Sequence, residues 1–521
     1  MSQPFQSVGA LRPGRSVFNL SHEKKFDCNM GSLIPVMFME MVPGDVFEFG
    51  NNALLRFQPL VAPVLHEINV YAHYYFCPTR VLWPTVKAGN PLVITDGWEG
   101  FITGGPTGAL AFTIPTWDPT TYTKGSLWDY LGLPAGIKPD AANYPHDFAR
   151  RMYNMTYNEW YRDQTLQSEV ALTNEAILQR NWEKDYFTSA LPWQQRGTAP
   201  ALPISGTTSA VWADTVFGAF NPLANHAWGG SSTGAAAEPY MLTGTDADSL
   251  AAAKAMFAAN TVDLSSATTF DVADLRLAFQ IQKWMERNAR SGARYVEFLT
   301  AHFGVSPSDD RMQRPEYIGG SRTPCIVSEV LQTSETDGTP QGTMAGHGIA
   351  VSDSYAGKFR APEFGYVMCI MSVMPRPSYQ DGIDRQWLRR TKYDFYFPEF
   401  ANLSEQAITN AEVCVTTDAT HNAGLFGYQG RYDELRYQKN MVCNNMRDTL
   451  DYWHLGRQFD PTTPGVTTPS LNSAFLTCAV ADTTRIFAVP AEPGLLINWG
   501  NSIKAVRPVP ASPEPGLIDH N

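Results

Sequence analysis

Charge is what this chain has least of. Only 17% of its 521 residues are Asp, Glu, Lys or Arg, against roughly 25% in an average soluble protein. Hydrophobic residues reach 44% and aromatics 12%, so the shortage is not that of a disordered chain. Two readings fit this balance: an outside mostly covered by other chains, or a large monomeric enzyme with a generous core. The net charge is −12, which excludes a protein that coats itself with nucleic acid over its whole surface. Contact with nucleic acid has to come from local basic patches or from a separate basic partner. Thiol pairs are missing as well. The seven cysteines are odd in number, far apart, and form no Cys-x-x-Cys, which excludes zinc-ribbon and redox-motif readings and leaves free thiols in a reducing cytoplasm. Met1-Ser-Gln-Pro4 opens no basic segment followed by an apolar run. The longest apolar stretch, Tyr366 to Met374, is too short to cross a bilayer. The expectation is a soluble protein, made and assembled inside a cell, with no membrane insertion.

Catalytic signatures are also lacking. Gly230-Ser-Ser-Thr-Gly234 has the spacing of a nucleophile elbow, but it lies in a Gly/Ala/Ser-rich stretch without the strand and helix that expose such a serine. Gly357-Lys358 has no upstream glycine for a phosphate loop. The ten histidines are dispersed, with no His-Glu-x-x-His. No catalytic residue, cofactor or metal is expected.

What the chain does have is strands at both ends and helices between. Ser32 to Met41 is an apolar run ending at Val42-Pro-Gly-Asp45, a Pro-Gly turn, and Val46-Phe-Glu-Phe49 leads out of it. From Asn69 to Cys77, Val70, Ala72, Tyr74 and Phe76 face one way and Tyr71, His73, Tyr75 and Cys77 the other. Both faces are bulky, which predicts a strand buried on both sides. Glu363 to Met374, Lys392 to Phe397, Ala411 to Thr416 and Ala474 to Val480 also read as strands. The pattern alone says all-β with helical excursions.

The spacing of Tyr153, Tyr157, Trp160 and Tyr161 puts four aromatics on one face of a helix over Arg151 to Gln164, a helix built to dock. A longer helix is predicted from Val272 to Thr300. Residues 1–25 read as an arm broken by Gly9, Pro13 and Gly14, in which Arg12, Arg15, Lys24 and Lys25 outweigh Glu23. Two further basic patches lie at Arg376 to Lys392 and at Arg431, Arg436, Lys439 and Arg447, the second with tyrosines interleaved. Cations beside rings suit single-stranded nucleic acid; inter-subunit ion pairing competes with that reading. Residues 197–270 are different in kind: one lysine, no arginine, five acids, and scattered rings such as Trp212, Trp228 and Tyr240 that a flexible linker would not carry.

Several strings carry a family resemblance. Among them are Ser16-Val-Phe-Asn-Leu-Ser-His22, Tyr74-Tyr-Phe-Cys-Pro-Thr-Arg80, Asp185-Tyr-Phe-Thr-Ser-Ala-Leu-Pro-Trp193, Arg314-Pro-Glu-Tyr-Ile-Gly-Gly320, Phe426-Gly-Tyr-Gln429 and Lys504-Ala-Val-Arg-Pro-Val-Pro510. With the aromatic helix, and in this order, they resemble the major capsid proteins of the Microviridae, the small icosahedral single-stranded DNA phages, in the gokushovirus branch. The likeness covers most of the chain and thins at 85–145 and 197–270. It implies a mainly β fold, a viral jelly-roll of eight antiparallel strands with long inserted loops and helices. The division expected is an arm at 1–25, the first part of the jelly roll at 26–196, a surface insertion at 197–270 forming a threefold protrusion, and the remaining strands and an extended Pro-rich tail at 271–521. It implies self-assembly into a T=1 icosahedral shell around a circular single-stranded DNA genome, in the virion after assembly in the host cytoplasm. Partners expected are further copies of the chain, the DNA, a small basic DNA-binding protein, a pilot protein and a host receptor. Candidate DNA contacts are Arg12, Arg15, Lys24, Lys25, Arg431, Arg436 and Lys439. Candidate subunit contacts are Tyr153, Tyr157, Trp160 and Tyr161, and candidate host contacts are Trp212, Trp228 and Tyr240. A carbohydrate-active β-sandwich enzyme and a non-shell attachment protein stay open as alternatives.

Overall fold

The structure is a computed structural model. It describes residues 14–87, 94–103, 112–198, 206–209, 226–229, 240–243, 261–264, 272–290, 301, 313–331, 344–459 and 469–512. The chain divides into two compact units, Met1–Gln194 with Gly292–Asn521, and Gln195–Ser291.

In the larger unit, β1 (Ser16–Asn19) and β2 (His22–Cys28) run end to end, followed by β3 (Ile34–Met41), β4 (Val46–Phe57) and β5 (Ile68–Pro78). After a long connection come β6 (Glu316–Pro324), β7 (Ile326–Leu331), β8 (Met344–Arg360) and β9 (Gly365–Pro375). A second long connection holds the hairpin β10 (Glu405–Thr409) and β11 (Leu425–Gly430), and β12 (Leu495–Arg507) closes the fold. One sheet has the order β1/β2–β12–β4–β8–β7, the other β6–β5–β9–β3, and every pairing between these strands is antiparallel. Strands adjacent in sequence fall in opposite sheets from β2 to β5, and the last strand pairs with the first. Taking β7 as an added edge, that is the eight-stranded double Greek key of a jelly roll.

The turn between β3 and β4 is the Pro-Gly turn read from the sequence. Asp45 N–H donates to Val42 O at 3.0 Å, and Gly44 sits at φ +91°, the left-handed third position that glycine takes without steric penalty. Asp45 is fully buried. Its carboxylate accepts from Val42 N–H at 2.9 Å and pairs with Arg507 at 2.9 Å. The first turn of the sandwich is thereby tied to the end of its last strand.

Strand β5 bears out the two-faced expectation, and its neighbour β9 shares that character. Val70, Ala72, Tyr74 and Phe76 enter the core between the sheets with Phe47, Phe49, Val367 and Trp499. Tyr75 and Cys77 point the other way, into a second core with Tyr366, Met368 and Ile370. That second face is covered by the connection between β5 and β6, which contributes Trp83, Trp117, Trp128 and the helix α1 (Phe148–Thr156) with its π-helical last turn, Tyr157–Tyr161. All eleven residues of β9 are buried.

Three expected strands are not strands. Lys392–Asp394 and Pro398–Phe400 are 3-10 turns, Asn410–Val413 and Ser473–Leu476 are short helices. Local caps decide each: a Thr391/Asp394 capping box, a Thr409/Glu412 capping box, and the Asn472 side chain accepting from Phe475 N–H at 2.9 Å. The arm is shorter than expected, because Ser16–Asn19 and His22–Cys28 pair with β12. Within the smaller unit, Gly206–Ser209 pairs with Thr261–Leu264 and His226–Gly229 with Tyr240–Thr243. The helix α2 (Val272–Arg290) belongs to that unit as well, although its sequence was assigned with the jelly roll.

Replacing Asp45 by Ala leaves Arg507 facing a buried site without its carboxylate. The expected loss is about 3 kcal/mol, measured as the urea midpoint of the dissociated subunit, with the m-value unchanged.

Candidate functional site

The aromatic helix docks, and it docks on its own subunit. Its first turn is fixed by charge: the buried Asp147 carboxylate pairs with Arg150 at 2.7 Å and Arg151 at 2.9 Å. Arg150 also reaches Glu175 at 3.1 Å, which in turn accepts from Trp117 Nε1 at 2.8 Å. Tyr153 is buried at 1% exposure; its hydroxyl donates to Leu33 O at 2.9 Å and accepts from Leu178 N–H at 2.9 Å. Tyr157 is buried at 7%. The Tyr161 hydroxyl lies 2.8 Å from His73 Nδ1 on β5, and burial raises the Tyr161 pKa well above the usual phenol range. Trp160 keeps 39% exposure while its indole N–H donates to Pro315 O at 2.9 Å. Of the four residues expected at a subunit interface, Trp160 is the one with substantial surface left to offer.

The candidate DNA contacts separate into two groups. Arg15 is exposed, and Lys25 is exposed and paired with Glu23 at 2.9 Å. Lys24 is occupied inside the subunit: it donates to Pro35 O at 2.8 Å and to Tyr130 O, and burial lowers its pKa to about 8. Lys439, with 7% of its side chain exposed, pairs with Asp384 at 2.6 Å. Arg436 pairs with Asp433, and Arg431 donates to Tyr393 O at 3.2 Å. In the other basic patch Arg385 joins Glu412 at 3.2 Å, Arg389 joins Glu434 at 3.3 Å, and Arg376 joins Glu67 at 2.9 Å. The cations of the two basic patches are mostly engaged with carboxylates of the same chain. Glu412 is buried enough that desolvation raises its pKa despite Arg385. It is a member of this ion-pair network, which also lines the small cavity beside Tyr186 and Phe187.

Arg12 and Trp212 lie outside the described residues. Trp228 and Tyr240 fall on the paired strands of the smaller unit, with their side chains outside the description. Among the described residues no group of three or more His, Cys, Asp or Glu is placed to hold a metal, and no helix is long and apolar enough to cross a membrane.

The sequence reading missed one feature. Trp387, Tyr393, Phe395, Tyr396 and Phe397 are all exposed, between 44% and 68%, within eleven residues. The signal was present as Tyr393-Asp-Phe-Tyr-Phe-Pro398, but it was taken for a strand, whose rings would have been half buried.

A jelly roll is an architecture that viral capsid proteins share with lectin domains and cupins. Comparison with known proteins specifies it further. A family model described as capsid protein (F protein) matches residues 7–517, and the chain belongs to that family. It is similar to the capsid protein VP1 of Chlamydia phage 1, at 30% identity over 99% of this chain and 98% of the relative. The capsid protein VP1 of Bdellovibrio phage phiMH2K is 30% identical over 97% and 96%, and that of Spiroplasma virus 4 is 28% identical over 96% and 95%. The chain is a structural protein of a phage capsid.

His73 makes the docked helix sensitive to acid. Burial first, and the Arg180 charge second, lower its pKa from 6.5 to about 4. The unfolded chain therefore takes up a proton before the folded one. The stabilisation is complete above about pH 6.5 and is lost as pH falls towards 4. The expected loss is on the order of 3 kcal/mol, read as a falling Tm of the subunit. His73→Gln, which does not titrate, should flatten that acid limb; an unchanged limb would remove His73 from its cause.

Proposed function

We propose that copies of this chain form a closed icosahedral shell around a circular single-stranded DNA genome, and that the chain converts no substrate. The observation that carries this reading is the capsid-family match running from residue 7 to residue 517, over a jelly roll that the chain completes from β2 to β12. Closed symmetry lets each subunit be held by several neighbours at once, so each contact need contribute only moderately. Trp160 stands as a subunit contact on this reading.

The DNA is reached through few cations. With a chain at −12, and with Lys24, Lys439, Arg431 and Arg436 engaged within the subunit, the arm with Arg12, Arg15 and Lys25 is the main candidate. A small basic protein would supply the remaining neutralisation, and a pilot protein would accompany the genome. Residues 197–270 are assigned to contact with a host receptor through Trp212, Trp228 and Tyr240. What supports a separate role is that Gln195–Ser291 forms a compact unit of its own.

Three measurements test these roles. Electron microscopy of the purified protein should show uniform closed particles; small oligomers alone would favour an attachment protein. Excising residues 195–291 across a short linker should spare particle formation and reduce adsorption to host cells, whereas loss of particles would end the division of labour. Neutralising Arg12 and Arg15 should reduce the slope of log affinity for single-stranded DNA against log salt by about 1.4 per arm.

A further inference from the structure

The exposed rings at Trp387–Phe397 are not a loose loop. Asp394 accepts from the backbone N–H groups of Arg390 at 2.9 Å and Thr391 at 2.7 Å, capping the turn. Arg431 donates to Tyr393 O at 3.2 Å, and the Tyr432 hydroxyl donates to Phe395 O at 3.1 Å. Tyr432 adopts φ 62° to do so, a left-handed conformation that is uncommon for a non-glycine residue. Its ring meets Tyr396 edge-on at 5.0 Å. The subunit therefore holds a rigid ridge of rings in water, which costs free energy unless something covers it.

We propose that this ridge is a contact between subunits, covered in the shell by a second copy of this chain. The inference rests on the shell reading above and adds the surface that performs it. Charge decides between a protein and a nucleic acid as the occupant. Residues 384–403 and 431–439 hold seven cations and five carboxylates, a balance of only +2. Arg385, Arg389, Arg436 and Lys439 are each paired with a carboxylate of the same subunit. Holding a phosphate backbone takes several unpaired cations. Among the described residues Arg390, Lys392 and Arg431 have no carboxylate at ion-pair distance; of these, Lys392 lies 5.0 Å from the Tyr393 ring centroid and Arg431 is held by the Tyr393 carbonyl. Rings with a few rim cations match the make-up of protein interfaces, where aromatics and Arg are enriched and most charge is excluded from the centre. The remainder of the chain carries −14, since −12 overall includes the +2 of the ridge. The net charge of another copy is therefore opposite in sign to that of the weakly positive ridge.

Hydroxyl-radical footprinting read by mass spectrometry tests this on the whole protein in three forms: dissociated subunits, empty particles and DNA-filled particles. Oxidation of Trp387 and Tyr393 should fall more than about tenfold from subunits to empty particles and change little on filling. Unchanged oxidation in empty particles overturns the proposal, and protection that arises only on filling assigns the ridge to DNA instead. The same samples, viewed by electron microscopy, separate the two layers of inference: absence of any particle refutes the shell reading, while particles with an oxidisable ridge refute only the contact. As a second arm, Trp387→Glu places a charge where the ring is exposed and makes no ring contact among the described residues. The subunit's Tm should be unchanged and particle yield should fall more than about tenfold; wild-type yield would overturn the proposal.

Discussion

Everything in the larger unit depends on one sheet having two apolar faces. Strands β5 and β9 present Tyr74, Phe76, Val367 and Cys369 to the sandwich interior and Tyr75, Cys77, Met368 and Ile370 to the opposite side. An antiparallel sheet normally leaves its outer face to water. Here the outer face is as apolar as the inner, so the chain has to return and cover it. The connection after β5 does so with Trp83, Trp117, Trp128 and the α1 face. Each large ring buried there removes on the order of 150–250 Å² from water. The insertion is thus a third layer of the fold, and its helix is positioned by the sheet it shields.

Polar groups then fix how that layer sits. Asp147 between Arg150 and Arg151, and Glu175 bridging Arg150 to Trp117, hold the start of α1 with charge-assisted bonds in a partly dry site. Tyr153 spans from Leu33 to Leu178 with both lone pair and proton used. The same economy governs the basic patches, where arginines and lysines meet carboxylates of their own chain. Much of the charge that the chain carries is thus neutralised locally.

Some of this was legible from residue order and some was not. The alternation through Val70 to Cys77 announced a strand with two buried faces, and Val42-Pro-Gly-Asp45 announced its turn. The aromatic spacing of Tyr153 to Tyr161 announced a docking helix, though not its dock, because the same stripe serves a neighbouring subunit or the chain's own sheet equally well. Ala411–Thr416 and Ala474–Val480 were misread since apolar runs of six or seven residues fit a strand or a short helix alike, and caps from Thr409 and Asn472 settled the choice. Arg385 and Lys439 stood in basic patches whose ion pairs could equally have been between subunits, because Glu412 and Asp384 of the same chain take them only once the second insertion folds.

By itself, then, the sequence determined the class of secondary structure, the two-sided strand, the Pro-Gly turn and membership in a capsid family, because these rest on short-range periodicity and on ordered motifs. Tertiary structure alone decided which rings are buried and which are left in water. Burial of Tyr153 and exposure of Trp387 are set by what lies across from them in space. Partners such as Tyr153 with Leu33, or Arg507 with Asp45, are more than a hundred residues apart and become neighbours only through the sheet pairings.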